Sequence, residues 1–181
     1  MTDDRDPLRE ALKRVAVALK EAEIPFALAG GYAAWALGGP EPDHDADFLV
    51  PEELAGQAAD ELARRGLEVE RPPEDWLFKV WSDGEMVDVL HRGSGASVSQ
   101  MLEAAEQREV LSVVMPVLSA TDVLVSKLLA LDEHYCDLAN VLPVVRALRE
   151  QVDWGQVRER TKGEPFAEAV LFLTDRLGVT A

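Results

Sequence analysis

Cysteine, basic residues and long apolar runs are all scarce in this sequence, and each scarcity excludes a class of protein. Cys136 is the only cysteine, so the chain forms no internal disulfide bond, which is typical of a cytoplasmic protein. The neighbouring His134 adds one further ligand, and two such ligands are too few for a zinc site. No apolar run reaches the ~20 residues of a membrane-spanning helix.

The shortage of basic side chains makes the chain strongly acidic. Lys and Arg number 18 against 34 Asp and Glu, which gives a formal net charge of −16. Such a surface attracts cations and repels polyanions. Broad, nonspecific binding of nucleic acid is therefore disfavoured, because that binding depends on Lys and Arg. A local basic track, built from residues such as Arg64, Arg65 and Arg92, is still compatible with this charge.

Hydrophobic periodicity divides the chain into a mixed region, residues 1–118, and a helical region, residues 119–181. With 48% apolar residues, the 181-residue chain fits one globular domain, with or without a small appendage. In the first region the pattern predicts helices at 7–22, 32–37, 51–65 and 97–105, and strands at 26–29, 67–69, 76–81, 85–91 and 110–117. Asp83-Gly84 joins two of these strands as a hairpin turn. The second region begins at Ser119 with a capping-box-like start.

Two acidic residues follow a glycine pair in the stretch that organises the chain. Gly30-Gly31 ends the short apolar strand, and Asp45-Ala46-Asp47 leads into the apolar run at 48–50. Alternation along a strand would place Asp45 and Asp47 on one face. Two carboxylates so placed repel each other unless a cation lies between them. A hard divalent cation with oxygen ligands is the simplest solution.

A third acidic residue, Asp88, lies within the apolar strand 85–91. A charge at such a position is costly unless it is paired or bound to a metal. Two interpretations follow from the residues alone. Either the polar face of this strand is in contact with water, or Asp88 belongs to the same site as Asp45 and Asp47.

Lys127 lies on a predicted helix and shares its face with Val123, Leu124 and Leu131. One interpretation is a lysine whose stem covers apolar surface while its ammonium reaches water. The other is a ligand for phosphate, because an ammonium is a compact cation. The residues alone leave both interpretations open.

The combination of these motifs resembles the signature of the polymerase-β-like nucleotidyltransferase superfamily. A strand, Gly30-Gly31, thirteen further residues and then Asp45-Ala46-Asp47 before an apolar run match its spacing. The resemblance implies an α+β nucleotidyltransferase fold, with a small mixed β-sheet flanked by helices and a C-terminal helical bundle packed on this core. Gly-Gly and Asp-x-Asp are each common, so the resemblance depends on their occurring together at this spacing.

The resemblance also implies roles for individual residues. Asp45, Asp47 and Asp88 would bind Mg²⁺ or Mn²⁺ and act in catalysis, and Asp88 would also take a proton from the acceptor hydroxyl. Gly30, Gly31 and Lys127 would hold the phosphates of a nucleoside triphosphate (NTP), the substrate, with Asp137 beside them. The implied activity moves a nucleoside monophosphate (NMP) from the NTP to an acceptor hydroxyl and releases pyrophosphate.

Three functions are compatible with this resemblance. In the first, the helices around Lys127 and Asp137 resemble those of toxin-type enzymes, which implies tRNA or a protein as acceptor and an antitoxin as partner. His134 and Asn140 depart from that pattern, in which Arg and a carboxylate are usual. In the second, His44 before Asp45 matches the antibiotic nucleotidyltransferases, which implies a cationic small-molecule acceptor. The third is a catalytically silent relative that binds nucleotide.

Overall fold

Seven strands form one mixed sheet at the centre of the protein. The structure, a computed structural model, describes residues 6–180. The strands are β1 (Ala27–Ala29), β2 (Ala46–Leu49), β3 (Glu68–Glu70), β4 (Leu77–Ser82), β5 (Glu85–Leu90), β6 (Glu106–Val110) and β7 (Val113–Val117). Their order is β3-β4-β5-β2-β1-β7-β6. The pairs β1–β7 and β2–β5 are parallel, and the other neighbours are antiparallel.

Helices cover this sheet and continue beyond it. They are α1 (Asp6–Glu21), α2 (Gly30–Ala36), α3 (Ala55–Arg64), α4 (Val98–Glu103), α5 (Ala120–Leu129), α6 (Leu138–Leu148), α7 (Trp154–Arg160) and α8 (Pro165–Arg176), with a 3₁₀ turn at Glu52–Leu54. The predicted helix at 51–65 is therefore divided into a 3₁₀ turn and α3. Each helix in residues 6–180 is too short or too polar to cross a membrane.

One part of the core lies between the sheet and α1. This helix packs against β4, β5 and β7, because Leu12, Val15 and Leu19 recur on one face and are fully buried. Phe48 and Val89, which neighbour each other across β2 and β5, are also fully buried. The opposite face of these strands is thereby left for polar side chains.

The structure confirms the α+β prediction and corrects one strand. The predicted strand at 110–117 covers the last residue of β6, a turn and the whole of β7, and these two strands pair as a hairpin with Val110 opposite Val113. The turn residues Leu111 and Ser112 have φ angles of +52° and +67°, as a two-residue turn of the mirror-image type requires. Neither residue is usual in that turn, so the sequence carried no signal for it.

The helical region begins directly after β7. Ser119 caps α5: its Oγ accepts from the Asp122 N–H at 3.1 Å and donates to the Asp122 carboxylate at 2.6 Å. Ser119 is therefore the N-cap of α5, as its sequence pattern predicted. Helix α5 packs on α2 and also contacts α6, α7 and α8, so it is the link between the sheet region and the helices that follow.

Removing the Ser119 cap should destabilise the protein. We expect Ser119→Ala to lower the free energy of unfolding by about 1 kcal/mol or more, because the Asp122 N–H loses its acceptor. Urea denaturation would measure this loss. Ser99→Ala is the matched control, since the Ser99 hydroxyl makes one exposed bond to Glu103. Equal losses in the two variants would contradict the capping role.

Candidate active site

The sheet places two of the predicted carboxylates side by side. In the parallel pair β2–β5, Asp47 lies opposite Asp88. Asp47 also pairs with Ala29 of β1, and Asp88 pairs with Lys79 of β4. These four residues form one row across four strands, and residues in register share a face of the sheet. The row therefore brings Asp47 and Asp88 together, as the sequence predicted.

Lys79 belongs to this row and was not predicted from the sequence. Its Nζ lies 3.4 Å from Oδ1 of Asp88, and the two side chains are 26% and 17% exposed. The same Nζ lies 3.1 Å from Sδ of Met86. The position of Lys79 could have been predicted from the hairpin register. Counting outward from the Asp83-Gly84 turn places Lys79 directly opposite Asp88.

Asp45 lies in the loop before β2 and not within the strand, as had been predicted from alternation. Strand β2 begins at Ala46, and Asp45 precedes it, exposed, with φ of +61°. The alternation argument is therefore wrong for this residue, because alternation holds only within extended backbone. Aspartate adopts this left-handed conformation more readily than most residues. Its charge still acts on both Asp47 and Asp88.

The glycine pair makes room for the Asp47 carboxylate and for the following loop. Gly30 has φ of +57°, and a Cβ there would lie 1.8 Å from Oδ2 of Asp47. A Cβ at Gly31 would lie 2.9 Å from Cβ of Pro42. The Gly31 N–H donates a hydrogen bond to Asp47. A side chain at either position would therefore clash with other residues of the chain. This steric constraint explains both glycines independently of the phosphate contact predicted for them.

Burial and like charge act together on the central carboxylate. The pKa of Asp47 is raised from 3.8 to about 7, chiefly by burial and then by the charges of Asp88 and Asp45, while Lys127 and the Gly31 N–H act to lower it. Burial also raises the pKa of Asp88, and Lys79 opposes that rise. The site therefore holds more negative charge than its own cations balance, which is a setting that favours a bound cation.

All seven predicted site residues line one cleft of about 650 Å³. The residues are Gly30, Gly31, Asp45, Asp47, Asp88, Lys127 and Asp137. Lys127 of α5 is partly buried, and its charge lowers the pKa of Asp47. Asp137 caps α6, because its carboxylate accepts from the Ala139 N–H at 2.8 Å and from the Asn140 side chain at 3.0 Å.

The donor set of the cleft suits a hard divalent cation. Asp45, Asp47 and Asp88 offer carboxylate oxygens, which Mg²⁺ and Mn²⁺ prefer. Within the described residues 6–180, no three His, Cys, Asp or Glu side chains converge as a ready-made metal cluster. Asp88 is engaged by Lys79 and Asp47 by the Gly31 N–H. The residue types fit the metal, whereas two of the three carboxylates already have partners in the chain.

The suggested basic track is not present in the structure. Arg64 and Arg65 both pair with Glu61 on α3, and neither lines the cleft. Arg92 lines the cleft but pairs with Glu52 at 3.2 Å and Asp75 at 3.0 Å. These arginines are thus neutralised by acidic neighbours and form no continuous basic surface.

Comparison with solved structures identifies the fold. The chain is similar to the crystal structure of ANT(2″)-Ia in complex with adenylyl-2″-tobramycin, with a TM-score of 0.66, 14% identity and coverage of 90% of this chain and 98% of that chain. It is also similar to the lincomycin-bound lincosamide antibiotic adenylyltransferase LnuA, with a TM-score of 0.54, 11% identity and coverage of 75% and 92%.

A third similar structure is an antigenic nucleotidyltransferase-like protein from Paracoccidioides brasiliensis, with a TM-score of 0.54, 13% identity and coverage of 92% and 93%. No protein-family model matches the chain, and no curated protein matches it. At these identities the likeness shows the fold alone. The chain has the nucleotidyltransferase fold, and the fold implied by its motifs is confirmed.

Replacing Asp47 by Asn should make the metal-free protein more stable at neutral and alkaline pH. The folded pKa of about 7 lies above the unfolded value of 3.8. As pH rises from 4 to 7, the unfolded chain releases this proton first, so the wild type loses stability that Asp47→Asn keeps. We expect the difference in unfolding free energy to grow by roughly 2–4 kcal/mol between pH 4 and pH 8.

Urea denaturation in a chelator would measure this difference at each pH. Glu53→Gln, at an exposed position outside the cleft, controls for the loss of one negative charge. A difference between Asp47→Asn and the wild type that does not change with pH would contradict the raised pKa.

Replacing Gly30 by Ala should destabilise the protein by more than the positive φ of this residue alone would cause. Gly178 has a similar φ of +64° and open space around its Cβ position. We expect Gly178→Ala to cost about 1–2 kcal/mol of stability. Gly30→Ala should cost roughly 3 kcal/mol or more, because the Asp47 carboxylate must also be displaced. Denaturation of both variants tests this, and equal costs would mean that the carboxylate moves aside freely.

Proposed function

We propose that the protein is a metal-dependent nucleotidyltransferase that moves an NMP from an NTP to an acceptor hydroxyl and releases pyrophosphate. The observation that carries the proposal is the side-by-side placement of Asp47 and Asp88 on adjacent strands, with Asp45 beside them. Lys127 lines the same cleft. A fold alone does not specify an activity, so the proposal depends on this constellation.

Each residue has a chemical task in this proposal. Asp45, Asp47 and Asp88 would hold Mg²⁺ or Mn²⁺, which neutralises charge on the triphosphate when bound. Lys127 would bind the triphosphate as a second source of positive charge. Gly30 and Gly31 would allow the phosphates to approach the backbone closely. Asp88 would accept the proton of the acceptor hydroxyl, a role that its raised pKa suits.

The charge of the cleft supports a cationic small molecule as the acceptor. Six acidic side chains line it against the two basic ones, Arg92 and Lys127; the acidic ones are Glu41, Asp43, Asp45, Asp47, Asp88 and Asp137. A cleft with this balance concentrates cations. The absence of a basic track from Arg64, Arg65 and Arg92 points the same way. We therefore propose an amino-bearing small molecule with a free hydroxyl as one acceptor class.

The toxin-type acceptor, tRNA or a protein, is the second candidate. It is supported by the resemblance of the Lys127 and Asp137 helices to toxin-type enzymes, and it would bring an antitoxin partner. Asp137, which carries part of that resemblance, also has a local role as the cap of α6, and Asn140, which departs from the toxin-type pattern, donates to its carboxylate. The two candidates differ in their response to salt, because binding through RNA phosphates weakens steeply as salt rises.

A transfer assay tests the proposal. The purified protein would be incubated with each labelled NTP and Mg²⁺, and with tobramycin, tRNA or a protein extract as acceptor. We expect label on the acceptor, and loss of transfer in Asp47→Asn and Asp88→Asn. Label on tobramycin but no tRNA binding at low salt would exclude the toxin-type acceptor. Transfer that is unaffected by either substitution would contradict the proposed site.

Replacing Lys127 by Ala should weaken the binding of an NTP but leave that of the nucleoside unchanged. The reason is that the ammonium would contact the triphosphate and nothing else of the ligand. Calorimetry with NTP and with the matching nucleoside, on both proteins, measures this directly. If Lys127 only covers apolar surface, the substitution will lower stability slightly and change neither affinity.

A further inference from the structure

The carboxylate of Asp88 has a cation on one side and a carboxylate on the other. Lys79 Nζ approaches it at 3.4 Å from β4, while Asp47 lies beside it on β2. Asp47 and Asp88 line the cleft, and Lys79 does not. In the row across the sheet, Lys79 therefore approaches Asp88 from the side opposite Asp47.

Lys79 is well placed to hold Asp88 in a fixed position. It is only 26% exposed, and its Nζ also lies 3.1 Å from Sδ of Met86, on the same strand as Asp88. A partly buried ion pair of this kind is stronger than one on the open surface. Among residues 6–180, no lysine or arginine other than Lys79 lies within 4.0 Å of Asp45, Asp47 or Asp88 as a salt-bridge partner.

We propose that Lys79 is a positioning residue that competes with the divalent metal for the Asp88 carboxylate. Without metal, the ion pair draws Asp88 towards β4 and away from the other two carboxylates. A bound metal would take the Asp88 carboxylate in place of the Lys79 ammonium. This inference rests on the proposed function, because it assigns Asp88 to the metal.

The consequence is that Lys79 lowers the affinity for metal alone. Asp47 is engaged by an uncharged donor, the Gly31 N–H, whereas Asp88 must be taken from a cationic neighbour. Removing the ammonium should therefore tighten the binding of a lone divalent cation. An arginine at position 79 should preserve the competition, because it keeps the positive charge.

The experiment measures the binding of Mn²⁺ to the protein without nucleotide. Free Mn²⁺ would be followed by electron paramagnetic resonance, so the readout does not depend on activity. We expect Lys79→Met and Lys79→Gln to bind Mn²⁺ about tenfold more tightly than the wild type, and Lys79→Arg to bind like the wild type. Circular dichroism would establish that each variant is folded.

Two controls separate a specific exchange from a general charge effect. Lys13→Met removes the same charge at a surface pair with Glu10, away from the cleft, and should leave Mn²⁺ affinity unchanged. In an Asp88→Asn background, Lys79→Met should not increase the affinity for Mn²⁺, because the Asp88 carboxylate is absent. The inference would be overturned if Lys79→Met still increased the Mn²⁺ affinity in that background, or if Lys13→Met increased it equally.

The outcome for Asp47 separates this inference from the proposed function. If Asp47→Asn abolishes Mn²⁺ binding while Lys79→Met leaves it unaltered, the metal site is supported and the role of Lys79 is wrong. If Mn²⁺ binds to neither the wild type nor the Lys79 variants, both the proposed function and this inference fail.

Discussion

The concentration of negative charge around one half-buried carboxylate is the constraint on which the rest of this structure depends. Asp47 lies in the middle of the sheet, with Asp88 on one side and Asp45 just before it. Burial and repulsion both disfavour its ionised form. A sheet that served only as scaffold would place an apolar residue here. A carboxylate with so strongly perturbed a pKa, placed in a cleft, is a candidate functional group.

Several features of the fold accommodate this carboxylate. Gly30 leaves the space that its oxygen fills, and the Gly31 N–H donates to it. The N-terminus of α2 therefore accommodates the Asp47 carboxylate, whether or not a phosphate is bound. Lys127 acts on the same carboxylate from α5. The phosphate contact proposed for the glycine pair is compatible with this steric fit, because both glycines also line the cleft.

The architecture and most of the candidate site could be predicted from the sequence, through its local patterns and the superfamily resemblance of its Gly-Gly and Asp-x-Asp motifs. Apolar periodicity and the Asp83-Gly84 turn determine the hairpin β4–β5, and with it the position of Asp88. Asp45 was misplaced because its backbone conformation depends on the loop before it. Strand β6 was missed because Leu111-Ser112 is an unusual turn. Lys79 needed only the hairpin register, but a lysine on a strand has no distinctive pattern.

The order of the strands determines when the site can exist during folding. Asp47 and Asp88 meet only after the chain between them has folded back, and Leu28 pairs with Val117 from still further along the sequence. Such distant pairings form late, because their loops must close first. The nascent chain therefore holds separate carboxylates with no common site until β5 joins the sheet. A cation that required both carboxylates would therefore stabilise the completed sheet relative to the unfolded chain.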